Sequence, residues 1–205
     1  MRRQPTAATL VLLCLAPAAI AWTSAVEPLT LQPESRIWIS GTSTVRSFQC
    51  SASTFETDVQ SAAPGAIGAI VAGTKAVQTA ELSVPAASLD CRNGTMNEHM
   101  LKALKAKEHP TITFRIASYE IAKAGDGVDG TAVGDLTLGG VKKQVTVTAH
   151  AIEQPNGALR LTGSHDVRMT EFGLKPPSLM MGTMKVNEKV KVSFDLVLKA
   201  ETPRT

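Results

Sequence analysis

The run of residues 189–199 alternates between apolar and mostly polar side chains. Successive side chains of an extended strand point to opposite faces, so this period of two predicts a strand with one buried face and one wet face. Its inward-facing residues are Val190, Val192, Phe194, Leu196 and Leu198. The same alternation recurs in runs 111–116 and 144–148. Because Gly, Pro and Asn bound many of these runs, the sequence predicts an all-β protein.

Short turn sequences connect the predicted strands. Gly139-Gly140 and Asn156-Gly157 each separate two apolar runs, which is typical of β-hairpins. About eight antiparallel runs predict a closed β-barrel, since closure removes exposed edges; a sandwich is the alternative. A barrel of about eight strands can be filled by its own side chains or hold one small ligand, and periodicity does not distinguish these cases.

One helix interrupts the strands. Thr95 followed by Glu98 forms a capping box, and apolar residues then recur at helical spacing until Pro110 ends the pattern. We therefore predict one short helix, from about Met96 to Ala106, that caps one end of the barrel. It acts either as a simple plug or as a lid over a cavity. The Ala/Gly-rich segment 61–73 is predicted to be an exposed loop; burial of part of it through Ile67, Ile70 and Val71 is the alternative.

The N-terminal segment has the pattern of an export signal. Arg2 and Arg3 precede an apolar run over residues 7–20, which is too short to cross a bilayer as a helix. We predict that a signal peptide, residues 1–21, is cleaved after Ala21, or alternatively after Ala25. The expected location is therefore the periplasm or the extracellular medium.

The rest of the chain is expected to form one barrel domain over residues 30–200. Without the two N-terminal arginines, 19 basic and 18 acidic residues remain. This near balance gives no attraction to nucleic acid or to an anionic membrane surface, so neither is a predicted partner. No later stretch is apolar enough to span a membrane, so the mature protein is expected not to be membrane-spanning.

Two cysteines lie in the predicted domain. In an oxidising compartment Cys50 and Cys91 can form a disulfide, and closing a loop of about forty residues would stabilise the fold by roughly 3 to 4 kcal/mol. Two buried free thiols are the alternative. The third cysteine, Cys14, lies in the signal segment and lacks the small preceding residue typical of a lipid-modified cysteine.

The sequence contains no recognisable catalytic or cofactor-binding motif. Its four histidines lack paired metal-ligand spacing, so we predict no metal site. Ser164, His165 and Asp166 are adjacent on a predicted strand and therefore point to opposite faces, which rules them out as a triad. We predict no catalytic residue and no cofactor.

Four segments together resemble the YceI-like family of exported lipid-binding proteins. They are Asn97–Leu101, His109–Phe114, Gly134–Val141 and Phe172–Leu174, and their order and spacing agree over residues 36–199. The resemblance implies a lipocalin-like antiparallel barrel whose lumen holds a polyisoprenoid or a similar amphiphilic lipid without chemical change. It also implies a possible homodimer.

Strand parity then selects the residues expected to line the lumen. They are Leu82, Val84, Ile112, Phe114, Leu136, Leu138, Val145, Val147, Leu159, Leu161, Val192 and Phe194. The ends of the lumen are expected to be closed by Met100, Leu104, Phe172 and Met180. Two other functions remain open: a structural or stress-response module with a filled barrel, and an enzyme that uses the cavity, for which His165 is the candidate titratable group.

Overall fold

The computed structural model describes residues 27–179 and 183–201. The predicted signal peptide with both cleavage positions, Cys14 and Met180 lie outside the described residues. The two helices are α1 (Ala66–Val71) and α2 (Gly94–Ala103). The strands are β1 (Leu29–Leu31), β2 (Arg36–Thr42), β3 (Ser47–Ala52), β4 (Glu56–Ser61), β5 (Val77–Pro85), β6 (Leu89–Asp90), β7 (Thr111–Ala124), β8 (Gly127–Leu138), β9 (Val141–Glu153), β10 (Leu159–Arg168), β11 (Ser178–Leu179), β12 (Met184–Lys185) and β13 (Lys189–Ala200).

One antiparallel sheet contains most of these strands. Its order is β4-β5-β7-β8-β9-β10-β13-β2-β3-β6, and β1 also pairs with β13. Among the described residues no ladder joins the edge strands β4 and β6, so the sheet is a curled half-barrel. The predicted closed barrel of eight strands is therefore wrong. The physical reason is that β6, at two residues, is too short to extend the sheet from β3 to β4, and β4 instead forms a single bridge, Pro28 to Gln60, beside β1.

The segment predicted to be a loop contains α1, so the prediction of one helix is also wrong. Ile67 and Ile70 of α1 are buried in a cluster with Val59, Leu159 and Leu198. Burial of these side chains outweighs the poor helix propensity of a glycine within a short helix. This cluster closes one end of the curled sheet, which we call the base.

The helix α2 begins earlier than its sequence pattern predicted. The side chain of Asn93, rather than Thr95, caps the helix, because its Oδ1 accepts a hydrogen bond of 2.9 Å from the backbone N–H of Met96. Asn97 then donates to Asp90 at 2.8 Å, and this hydrogen bond lowers the pKa of the Asp90 carboxyl. A disulfide between Cys50 and Cys91 joins β3 to the segment that leads into α2.

A buried carboxylate on the outer face of the sheet joins three strands. Asp195 of β13 is 7% exposed and accepts two hydrogen bonds from Arg160 of β10, at 2.8 and 2.7 Å. Arg36 of β2 donates a third at 3.4 Å. The Arg160 hydrogen bonds hold the pKa of Asp195 below its ordinary value, against the opposing effect of burial. Bidentate hydrogen bonds between a guanidinium and a carboxylate are stronger than hydrogen bonds between neutral groups.

We expect Asp195→Asn to lower the free energy of unfolding by about 1–3 kcal/mol at neutral pH, because a charged hydrogen-bond acceptor is lost. A carboxyl whose pKa is lower in the folded state stabilises the fold above its unfolded pKa, about 3.9, and loses that effect as the pH falls. The difference between the two proteins should therefore shrink in acid. Urea denaturation from neutral pH to pH ~3 measures it, with Asp126→Asn at the exposed β7–β8 turn as the control. A constant difference across this range would contradict the assignment.

Candidate functional site

The curled sheet surrounds a cavity of about 650 Å³. One end is the base, where Leu29, Ile70 and Leu198 face the cavity. The other end lies beside α2, whose Met96, His99 and Met100 face the cavity although no residue of the helix is fully buried. We call this second end the mouth. The helix α2 therefore covers a hollow rather than plugging a filled barrel.

The wall of the cavity is formed by the inward-facing side chains of the strands. Every lumen residue selected by strand parity lies on it, as do Met100 and Leu104. Apart from Val84, Leu138 and Leu159, these side chains are only half-buried although they point inward. Inward-facing side chains of a filled barrel would be buried against one another. Their exposure shows that they face open space.

Two residues that were predicted to close the ends of the cavity, Phe172 and Met180, are not part of its described wall. Phe172 is 2% exposed and packs with Leu138, Val167 and Leu174, so it fills the core near the mouth rather than the cavity wall. It belongs to a 3₁₀ turn at Met169–Phe172, in which Met169 lines the cavity and Phe172 does not. Met180 lies outside the described residues, so its predicted role remains untested.

Three phenylalanine rings pack against glycines of the wall. A Cβ placed on Gly41 would lie 2.5 Å from the ring of Phe48, and one on Gly163 would lie 2.5 Å from the ring of Phe194. Gly134 stands in the same relation to Phe114, at 2.7 Å. Because the rings occupy the space of the missing side chains, they lie along the wall instead of projecting into the cavity. Glycine thus helps to keep the cavity open.

We expect Gly163→Ala to destabilise the protein by about 1–3 kcal/mol and to reduce ligand uptake, because the added methyl group overpacks the wall. It would meet both the Phe194 ring and the backbone oxygen of Thr148, each at 2.5 Å. Thermal unfolding and a probe-binding titration measure the two effects. Gly68→Ala is the matched control, since a Cβ on this helical glycine has no neighbour within 4 Å. Equal stability of the two variants would contradict this account of the wall.

Strand parity did not identify two cavity-wall residues on β7, Tyr119 and Ile121. Ile116 pairs with Gly134 and Ser118 pairs with Val133, so Ala117 is an extra, unpaired residue that forms a β-bulge. Beyond it the inward face passes to Tyr119 and Ile121, which a regular strand would turn outward. A bulge has no reliable signal in a single sequence. The missed wall residues on regular strands, such as Ile39 and Phe48, follow the parity rule and could have been found by it.

At the mouth, the polar residues Arg46, Asn93, Thr95 and His99 border the cavity. Deeper in the cavity, His165 occupies the wall on the face that it shares with Leu161 and Val167, as its parity predicted. Its imidazole makes no hydrogen bond to any of the described residues. The wall carboxylates Glu81 and Glu120 form ion pairs with Arg115 and Lys75, respectively.

A chemical site would need converging groups. In the described ranges, no set of three or more His, Cys, Asp or Glu side chains is arranged to hold a metal ion. Nor does a carboxylate among the described residues hydrogen-bond to His165, and the wall carboxylates Glu81 and Glu120 are already paired with Arg115 and Lys75. A wall whose remaining residues are mostly apolar suits the retention of an apolar molecule.

The fold and the cavity define a class of protein in which a single antiparallel sheet curls around one large apolar hollow. The chain belongs to the family described as YceI-like domain, whose family model matches residues 34–198. No helix in the described part of the chain is both long enough and apolar enough to cross a membrane.

Curated relatives match part of the chain. A UPF0312 protein of Pseudomonas aeruginosa is 36% identical over 95 residues, covering 43% of this chain and 48% of that protein. A UPF0312 protein of Shewanella denitrificans is 30% identical over 126 residues, covering 58% of this chain and 61% of that protein. The chain thus spans about half the length of the Pseudomonas relative that it matches.

Solved structures share the fold. The crystal structure of Burkholderia cenocepacia BcnA has a TM-score of 0.63 and 22% identity, covering 80% of this chain and 96% of that one. A domain from Saccharophagus degradans, described as polyisoprenoid binding and implicated in plant cell wall breakdown, has a TM-score of 0.60 and 11% identity. Its alignment covers 87% of this chain and 100% of that domain. At these identities the likeness establishes the fold alone.

Proposed function

We propose that this protein binds a polyisoprenoid or a similar amphiphilic lipid in its cavity and does not act on it chemically. The observation that carries the proposal is a largely apolar wall, most of whose side chains are half-exposed, around about 650 Å³ of open space. The YceI-like family and the polyisoprenoid-binding description of the Saccharophagus domain support the same ligand class.

The energetics favour a long apolar chain. Each Å² of apolar surface removed from water contributes about 25 cal/mol, and a pocket that exists before binding avoids most of the cost of ordering it. Ligand pockets commonly have volumes of about 300–1,000 Å³, and this cavity lies within that range. An amphiphile would place its apolar chain along the wall and its polar group at the mouth, beside Arg46, Thr95 and His99.

The proposal includes export to the periplasm or the extracellular medium. The pattern of Arg2, Arg3 and the following apolar run supports it, as does the pairing of Cys50 with Cys91, because disulfides persist in oxidising compartments. N-terminal sequencing of the mature protein and fractionation of the host cell test the location. Light scattering tests the homodimer that the family resemblance implies.

Lipid extraction and native mass spectrometry of the purified protein test the ligand class. We expect a bound prenyl lipid, or, after delipidation, uptake of geranylgeraniol measured by displacement of N-phenylnaphthylamine. A folded protein that copurifies with no lipid and takes up no prenol would overturn the proposal. The alternative of a structural module with a filled barrel requires a packed interior, whereas the described wall surrounds a cavity.

A further inference from the structure

The wall of the cavity has a gap at the base between β5 and β7. These strands pair from Pro85↔Thr111 to Glu81↔Arg115, and beyond this point no ladder pair joins them in the described chain although both strands continue. The bulge at Ala117 lies where the pairing stops. The two strands therefore diverge toward the base, and a wedge-shaped opening separates them.

The wedge adjoins the cavity. A small hollow of about 210 Å³ occupies the wedge, and Val77, Ala80, Ile116 and Tyr119 line both this hollow and the main cavity. Its outer border is formed by residues exposed to solvent, including Gln78 and Ser118. These shared side chains therefore form the partition between the surface hollow and the base of the cavity, at the end opposite the mouth.

One tyrosine side chain spans the wedge. The Tyr119 hydroxyl accepts a hydrogen bond from the backbone N–H of Val77 at 2.9 Å and donates to the Val77 carbonyl at 3.2 Å. These contacts stand in for the missing ladder pair. Lys75 reinforces the closure, since its ammonium group lies 5.7 Å from the centre of the Tyr119 ring and 2.6 Å from the Glu120 carboxylate.

We propose that the wedge is an exit for the ligand's tail and that Tyr119 is its gate. This inference rests on the proposed function, and it names the ligand class more closely: a linear apolar chain longer than the cavity, held with its polar group at the mouth. A tail that reaches the base displaces the Tyr119 side chain and emerges between Gln78 and Ser118. Two hydrogen bonds and one exposed ion pair are a small barrier compared with backbone ladder pairing.

Photo-crosslinking on the wild-type protein tests the path directly. Geranylgeraniol and solanesol analogues carrying a diazirine at the tail end are bound, illuminated and mapped by mass spectrometry. We expect the longer prenol to label peptides with Gln78 or Ser118, and the shorter one to label wall residues such as Ile121. Labelling of Arg46 or Thr95 by the tail of the longer prenol would overturn the inference, because the tail would then leave through the mouth.

A variant series tests the gate. Tyr119→Ala removes the side chain across the wedge and should raise the affinity for solanesol relative to geranylgeraniol about tenfold. Tyr119→Phe removes only the hydroxyl contacts and should shift the ratio in the same direction by less. Phe194→Ala, which removes a ring far from the wedge, should change both affinities together and leave their ratio unaltered. An unchanged ratio in Tyr119→Ala would contradict the gate.

Failure of the inference is distinguishable from failure of the proposed function. If the wild-type protein binds neither prenol in the displacement assay, the proposed function fails. If it binds geranylgeraniol but labels no residue of the wedge with the longer prenol, the tail exit alone fails. Circular dichroism of each variant confirms that the fold persists before affinities are compared.

Discussion

Replacing Val147 by glutamate is expected to abolish copurification of lipid and to weaken prenol binding at least about a hundredfold, since removing an unpaired carboxylate from water costs several kcal/mol. Val147 lies on β9 and its half-exposed side chain faces the cavity. In the empty cavity the carboxylate can stay hydrated, so the variant should fold. A bound lipid would strip that water away. The displacement assay and lipid extraction measure the effect.

The neighbouring residue provides the control for this variant. Thr146 is exposed on the outer face of the same strand, so Thr146→Glu adds the same charge one residue away without entering the cavity. We expect it to bind lipid like the wild type. Phe114→Glu, on the wall of β7, should repeat the loss seen with Val147→Glu. A folded Val147→Glu protein that retains its lipid would rule out the cavity as the binding site.

Removing the disulfide is expected to produce the largest loss of stability. The bond closes a loop with a sequence separation of 41 residues, and bonds of this kind typically stabilise a fold by about 2–4 kcal/mol. The double variant Cys50→Ser, Cys91→Ser should therefore melt about 5–15 °C below the wild type. Because the bond anchors the segment before α2, ligand release should also be faster.

Differential scanning calorimetry measures the melting temperature, and stopped-flow displacement measures release. The wild type treated with a thiol reductant should approach the behaviour of the double variant. Reductant added to the double variant is the control, and it should have no effect. A double variant that melts within about 2 °C of the oxidised wild type would show that the bond contributes little to the stability of the fold.

Local periodicity was sufficient to assign the inner faces of the long, regular strands. On β9, Val145 and Val147 were assigned to the inner face from alternation alone, and the structure places both on the cavity wall. Such predictions succeed because the pleat of a strand is a local geometric property, which does not depend on the pairing partner. The hairpin predicted at Gly139-Gly140 is confirmed for a similar reason. A tight turn is also a local feature, and both glycines adopt the positive φ that it requires.

Strand periodicity could not predict whether the sheet closes, that a second helix forms, or which residues line the cavity at the base. Whether β4 meets β6 depends on the positions of strands far apart in sequence, and α1 forms because Ile67 and Ile70 find an apolar surface built from β4, β10 and β13. The bulge at Ala117 depends on the pairing of β7 with β8. A single sequence shows none of these distant partners.

The sequence by itself determined which faces of the strands are apolar, and with them the chemistry that the protein presents to a ligand. Only the tertiary structure decided that these faces surround a hollow, because alternation is the same in a filled barrel and in an empty one. Glycines opposite Phe48, Phe114 and Phe194 and the divergence of β5 from β7 decide where that hollow stays open. The spacing between strands is a property of packing, which no local pattern records.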